Sequence, residues 1–156
     1  MKGNVELVGT LNSLLADELT AVNQYMVHAE MCENWGYGRL HELFRKRSVD
    51  EMKHAEKLIS RILFLEGRPV VSKLGPIRIG AEVAKQFAND RDLELAAIKA
   101  YNDGISMSVQ AGDNATRELL EGILVEEDRH VDGIEENLDQ IAQMGLPSFL
   151  SAQVRK

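Results

Sequence analysis

Apolar residues recur at helical spacing through four long stretches of the chain, and each stretch keeps one apolar stripe. This periodicity predicts four helices, at about residues 5–34, 39–65, 83–111 and 115–144. Gly145 is expected to end the fourth helix, and a short fifth helix is predicted at about residues 147–153. All three prolines fall outside the long stretches, as helix interiors require. The pattern therefore predicts an all-α protein.

The segment between the second and third helices, residues 67–82, is rich in glycine and proline and predicts an extended connection. A segment of this length can span roughly 50 Å, about the length of a thirty-residue helix. It can therefore return along the whole bundle and leave the second and third helices parallel. We expect one domain over residues 1–156, built as a four-helix bundle with one long crossover.

Four pairs of residues on the apolar stripes repeat at one offset. The pairs, each 76 positions apart, are Glu18 with Glu94, Tyr25 with Tyr101, Glu51 with Glu127, and His54 with His130. Residues three apart share a helix face, so each Glu-x-x-His pair directs a carboxylate and an imidazole to one point. The repeat indicates two similar helical hairpins.

Four glutamates on apolar stripes bring four negative charges into the bundle. An isolated buried carboxylate costs tens of kcal/mol in the idealised limit, and few basic residues share these stripes to form salt bridges. Two divalent cations balance the charge, and mixed carboxylate and imidazole ligation suits iron or manganese, with zinc as an alternative. The ligand set resembles the known di-iron pattern of ferritin-like four-helix bundles. On that pattern Glu51 and Glu127 bridge the metals, Glu18 and His54 bind one metal, and Glu94 and His130 bind the other.

Two further residues have candidate roles outside the ligand set. Tyr25 is expected to be a core aromatic whose hydroxyl bonds a ligand carboxylate, with a redox role in catalysis as the alternative. Met52 is rotated about 100° from Glu51 on its helix and faces away from the metals. It belongs to an outward apolar strip with Val49, Ala55 and Ile59, which indicates a subunit interface.

Composition and charge argue against a nucleic-acid-binding, membrane-spanning or secreted protein. The net charge of −7 argues against a nucleic-acid partner, and no apolar run is long enough to cross a membrane. The first residues lack the apolar core of a signal peptide. The single Cys32 cannot form an internal disulfide, is expected to be a small buried hydrophobe, and fits a reducing compartment. We expect a cytoplasmic protein.

The chain resembles the bacterioferritins from end to end. The matching segments are residues 1–3, 23–25, 34–36, 50–55, 61–67 and 144–146. The resemblance implies a ferritin-like fold and a hollow homo-oligomeric cage of twenty-four subunits, assembled from two-fold dimers. It implies that the cage oxidises iron(II) and stores iron(III) mineral, with the six ligands named above. It also implies a b-type haem at each two-fold interface, held by Met52 from both subunits, and a small ferredoxin-type reductant for iron release.

The chain departs from the family pattern in the turn before Glu51. Arg45, Lys46 and Arg47 stand where the bacterioferritins compared have Tyr-His-Glu. Protonated Lys46 cannot hold iron at the inner surface, as the matching histidine can together with the acid at Asp50. Arg45 is expected either to pair with a haem carboxylate or to weaken haem packing, and Arg47 to pair with a ligand acid and compete with metal.

Two functions follow from this resemblance. The first is an iron-storage ferroxidase, in which 4 Fe(II) + O2 + 4 H+ give 4 Fe(III) + 2 H2O. The second is a cage subunit with an impaired di-metal site that serves haem-mediated electron transfer or iron release, and the basic turn motivates it. A rubrerythrin-type peroxidase is disfavoured by the single cysteine, and a DNA-protecting mini-ferritin by the two intrachain Glu-x-x-His pairs.

Overall fold

The computed structural model describes residues 1–154, in which the secondary structure is entirely helical. The helices are α1 Val5–Trp35, α2 Gly38–Phe64, α3 Val83–Gln110, α4 Asn114–Met144 and α5 Leu146–Ser151. The all-α prediction is confirmed, and the predicted boundaries differ by one or two residues, as is usual at helix ends. The single-domain prediction for residues 1–156 stays a prediction, and its last two positions lie outside the described residues.

Local signals in the sequence explain where the helices begin and end. The side chain of Asn4 accepts a hydrogen bond from the Leu7 amide at the start of α1, and that of Asp113 accepts one from Thr116 at the start of α4. Gly36 ends α1 with φ of 85°, a left-handed conformation that glycine adopts without strain. Gly145 ends α4 as predicted.

The four long helices pack as two hairpins, α1 with α2 and α3 with α4, and α1 also faces α3 while α2 faces α4. Two apolar clusters fill the bundle. One contains Leu11, Leu58 and Leu120, and the other contains Phe44 and Phe87. Along every long helix the predicted acids and histidines fall between these two clusters. The bundle therefore holds a polar layer closed at both ends by packed apolar side chains.

Residues 67–82, which we call the crossover strap, follow α1 through a row of side-chain acceptors. The row and its bonds are Asn12 Oδ1 to the Val70 amide (2.8 Å), Thr20 Oγ1 to Gly75 (2.8 Å), Gln24 Oε1 to Arg78 (3.1 Å) and His28 Nε2 to Gly80 (3.0 Å). The acceptors are four or eight residues apart and share one face of α1. The strap therefore runs in the direction of α1, and α2 and α3 are parallel, as predicted.

Candidate metal centre

The six predicted ligands converge in the polar layer as two groups. Glu18, Glu51, His54 and Glu127 can each place one donor atom within 4.8 Å of the others, and so can Glu51, Glu94, Glu127 and His130. Glu51 and Glu127 belong to both groups. Two shared glutamates are what the predicted site requires, in which two carboxylates bridge the metals and one Glu-His pair completes each site.

Each histidine directs its Nδ1 atom at the carboxylates. His54 Nδ1 lies 2.9 Å from Glu18 Oε2 and 3.4 Å from Glu127 Oε1. His130 Nδ1 lies 3.1 Å from Glu51 Oε1 and 3.5 Å from Glu94 Oε1. The two imidazole rings are 6.4 Å apart between centroids. Both Nδ1 atoms therefore face the shared acids, Glu51 and Glu127.

The donor atoms of the cluster are buried, yet many lack hydrogen-bond partners. These atoms are Glu18 Oε2, Glu51 Oε1, His54 Nδ1, Glu94 Oε2, both carboxylate oxygens of Glu127, and His130 Nδ1. Buried polar groups normally form hydrogen bonds, so a set of ligand atoms that converge on one another without forming them needs an explanation. Divalent cations fit it, because they accept lone pairs from carboxylate and neutral imidazole donors.

Without metal, burial and mutual repulsion favour protonation of the cluster. Burial raises the pKa of Glu94 to about 7, and burial together with Glu51 raises that of Glu18 well above its usual range. Burial opposes the charged form of His130, but the facing carboxylates of Glu127, Glu51 and Glu94 outweigh it and raise its pKa to about 12. A cation must therefore displace protons in order to bind.

Tyr25 is held against the cluster. Its hydroxyl donates to Glu94 Oε1 at 2.6 Å, and its ring is fully buried. The expectation that it is a core aromatic bonded to a ligand acid agrees with this contact. The hydroxyl of Tyr101 is buried and has no hydrogen-bond partner. The two hairpins therefore differ at this pair.

Two acids outside the predicted ligand set contact the histidines at Nε2, the ring nitrogen that does not face the cluster. His130 Nε2 lies 3.2 Å from Asp50 Oδ2, and His54 Nε2 contacts Glu126 Oε2. Sequence reasoning assigned no role to Glu126 and considered Asp50 only for an inner-surface site. A signal was present, because Asp50 and Glu126 are themselves 76 positions apart. A carboxylate on the second ring nitrogen orients a ligand imidazole and increases its basicity.

A cavity of about 190 Å³ lies beside the cluster and between α1 and α3. All four glutamates of the cluster line it, and Gly75, Pro76 and Arg78 of the crossover strap form part of its wall. The exposed carboxylates of Asp17 and Asp92 belong to the same lining. The otherwise buried donor atoms thus face a space that a small cation can occupy.

Comparison with known proteins agrees with the geometry. The family model of the ferritin-like domain matches residues 8–144. The bacterioferritin of Mycobacterium leprae is 39% identical over 145 residues, which cover 93% of this chain and 91% of the relative. That of Streptomyces coelicolor is 38% identical over 156 residues, which cover 100% of this chain and 93% of the relative. The chain belongs to the bacterioferritins.

Met52 lies on the outer side of the bundle, as predicted. Its side chain is 46% exposed, whereas Glu51 beside it is 1% exposed. The predicted outward strip is only partly correct. Val49 and Ile59 are half-buried, but Ala55 packs in an apolar core cluster. The wrong position follows from helix geometry, because Ala55 is one turn beyond Glu51 and shares its inner face.

Of the three basic residues at positions 45–47, two are exposed and one is buried. Arg45 is exposed, and Lys46 is exposed and forms an ion pair with Asp50 at 3.3 Å. Arg47 is buried, with 5% of its surface accessible. The expected pairing of Arg47 with a ligand acid is not observed, because over residues 1–154 the ion pairs of those acids are with His54 and His130.

Over the described residues, no helix is long and apolar enough to cross a membrane. Cys32 is buried and free, as expected. Its thiol donates to the Gln86 side chain at 3.4 Å, inside the apolar cluster around Phe44. These features place Cys32 among the packing residues.

Proposed function

We propose that this chain is an iron-storage ferroxidase that oxidises iron(II) at the cluster and deposits iron(III) inside a cage of identical subunits. One observation carries the proposal. Two groups of buried donor atoms share Glu51 and Glu127, so that two cations bound there would be held side by side. Membership of the bacterioferritins supports iron as the cation.

The ligand set suits one-electron oxidation of iron. Four carboxylates balance two iron(II) ions when both imidazoles bind in the neutral form. Hard oxygen donors favour the more highly charged iron(III), so the set makes iron(II) a better reductant. Two adjacent ions supply two electrons together, and four iron(II) with four protons reduce one O2 to two water molecules.

The cavity beside the cluster supplies a route for the substrate ion. Asp17 and Asp92 are exposed in its lining, and the cluster glutamates lie deeper in the same lining. A row of carboxylates from solvent to the centre attracts cations and exchanges their water ligands for protein oxygens. We propose that iron(II) reaches the cluster between α1 and α3, past the crossover strap.

The cage and its haem are proposals that rest on the family. We propose twenty-four subunits in two-fold dimers, with a b-type haem held by Met52 from two subunits and a small ferredoxin-type reductant as partner. The exposed thioether of Met52 fits this role, because a methionine sulfur is a suitable axial ligand for haem iron. We place the protein in the cytoplasm on the same grounds.

The ferroxidase proposal is tested with Glu127→Ala, which removes a carboxylate common to both donor groups. Rapid aerobic oxidation of added iron(II) should be lost while the cage still assembles. Glu118→Ala is the matched control, because Glu118 is an exposed acid on the same helix. Equal oxidation rates in both variants would exclude the cluster as the site of oxidation.

The haem proposal is tested separately with Met52→His. We expect a changed haem spectrum and largely unchanged iron oxidation, because Met52 is exposed and rotated about 100° away from the buried Glu51 on α2. Loss of rapid oxidation in an assembled cage of this variant would contradict the separation of the two sites.

A second candidate function is favoured by the burial of Arg47, which lies four residues before Glu51 on α2. A subunit whose metal centre is inactivated by the Arg47 guanidinium would serve haem-mediated electron transfer or iron release. The unmodified chain would then oxidise iron slowly, and Arg47→Glu would restore a rapid phase. The ferroxidase proposal requires the rapid phase without any change.

A further inference from the structure

Arg47 is the only lysine or arginine among the buried side chains of residues 1–154. It lies four positions before Glu51 on α2, so the two side chains are neighbours on one helix face. Its Nη1 atom is inaccessible to solvent and has no hydrogen-bond partner. A buried charge normally has a compensating partner, and Arg47 therefore needs an electrostatic reason for its position.

The guanidinium group reaches from α2 to α4 at a place where the backbone makes room for it. A Cβ atom on Gly133 would lie 2.9 Å from Arg47 Nη2, which is too close for an unshifted side chain. Gly133 is three positions after His130 and lies one turn from it on α4. Arg47 is thus four residues from Glu51 on α2, and its guanidinium reaches α4 at Gly133, three residues after His130.

In a buried, low-dielectric environment a unit charge acts over several ångströms without direct contact. Arg47 is buried and lies four residues before Glu51 on α2, and its guanidinium lies against Gly133 on α4. It is therefore placed to act through space on the buried acids of the cluster.

We propose that Arg47 is a fixed counter-charge of the metal-free cluster, which stabilises the empty centre and weakens its hold on divalent cations. The carboxylates attract a divalent cation, but the positive charge of Arg47 repels it. The centre would then release its ions readily, as a site for passing substrate must. This inference rests on the proposed function only in requiring that the cluster binds divalent cations.

The inference is tested with Co²⁺ binding to the full chain, measured by calorimetry and by the visible absorption of the bound ion. Arg47→Gln should bind Co²⁺ at least about tenfold more tightly than the natural chain, since a nearby unit charge is removed. Arg47→Lys retains the charge and should bind Co²⁺ within about threefold of the natural affinity. Lys53→Gln is the control for net charge, because Lys53 is exposed and two residues from Glu51.

The stability of the metal-free chain gives a second measurement. Metal-free Arg47→Gln should unfold at a lower temperature than Lys53→Gln, because the buried acids of the cluster lose a nearby positive charge, whereas Lys53 is exposed. If Arg47→Gln does not fold without metal, recovery of the folded cage on refolding with Co²⁺ would support the inference. Failure to recover with Co²⁺ would overturn it.

Unchanged or weaker Co²⁺ binding by Arg47→Gln would also overturn the counter-charge role. This outcome differs from failure of the proposed function. If the natural chain itself binds no Co²⁺ at the cluster, then the di-metal proposal fails. If it binds Co²⁺ and Arg47→Gln binds equally well, only the role of Arg47 is lost.

Discussion

His130 Nε2 lies 3.2 Å from Asp50 Oδ2, so an acid on α2 supports a histidine on α4 from the side away from the cluster. His54 and Glu126 make the reciprocal contact from α2 to α4. A carboxylate that accepts the Nε2 proton leaves Nδ1 as the metal-binding nitrogen. The pseudo-symmetry of the two hairpins therefore includes the groups that orient the ligands.

Replacing Glu126 by glutamine should weaken cation binding without unfolding the protein. Loss of a carboxylate behind a ligand histidine typically costs about 10–100-fold in metal affinity. Glu126 has a side chain that is 45% exposed, so its contribution to folding should be small. Co²⁺ titration of Glu126→Gln beside Glu118→Gln measures this effect. Equal affinities would show that Glu126 does not act on His54.

The number of bound cations should depend on which glutamate is changed. Glu94 belongs to one donor group and Glu127 to both. We expect Glu94→Gln to retain one tightly bound Co²⁺ per chain, and Glu127→Gln to weaken both sites. Calorimetric stoichiometry distinguishes the two variants. Retention of two tight sites in Glu127→Gln would argue against a bridging carboxylate.

The metal-free chain should lose stability as the pH rises from 5 to 8. The pKa of Glu94 is about 7 against an ordinary 4.5. Its contribution to the free energy of unfolding is therefore complete below about pH 4.5 and is lost as the pH rises through 7. His130 has a pKa of about 12 against an ordinary 6.5, and its stabilisation declines between these values.

Cation binding should show the opposite trend, because Co²⁺ displaces protons from the cluster and binds more tightly as the pH rises. Unfolding temperatures with and without Co²⁺ at pH 6 and pH 8 check both trends. The gain in unfolding temperature from Co²⁺ should be larger at pH 8. A gain that is equal at both values would contradict the protonated metal-free cluster.

Thr20→Val should loosen the crossover strap. Thr20 Oγ1 accepts the Gly75 amide at 2.8 Å, and valine keeps the shape of the side chain without the acceptor. We expect a loss of about 1 kcal/mol in the free energy of unfolding and faster proteolysis within residues 67–82. Thr20→Ser retains the hydroxyl and is the control. Proteolysis of Thr20→Val at the natural rate would show that this bond does not hold the strap.

The bundle and the convergence of six side chains could be predicted because both depend on helix periodicity and on the repeat of 76 positions. Helix geometry brings Glu51 to the face of His54, and the repeat relates both to Glu127 and His130. The position of Met52 follows from the same geometry. The assignment of Ala55 to the outward strip was wrong, because helical periodicity does not distinguish a residue at the edge of an exposed strip from one in the core.

The positions of Arg47 and the crossover strap were not predictable in the same way. Arg47 lies near the inner stripe by periodicity, but its burial depends on the missing Cβ of Gly133, which is a contact between distant segments. The strap is ordered by side chains such as Thr20 and Gln24 that bind backbone amides. A backbone donor carries no sequence signal, so such pairs appear only in the folded structure.

Whether the cluster is a ferroxidase centre is measured by aerobic addition of iron(II) to the metal-free cage, with the rapid rise in absorbance followed against iron per chain. The two donor groups that share Glu51 and Glu127 predict a break at two iron ions per chain. A slow rise without a break would show that the donor groups do not work as a ferroxidase centre.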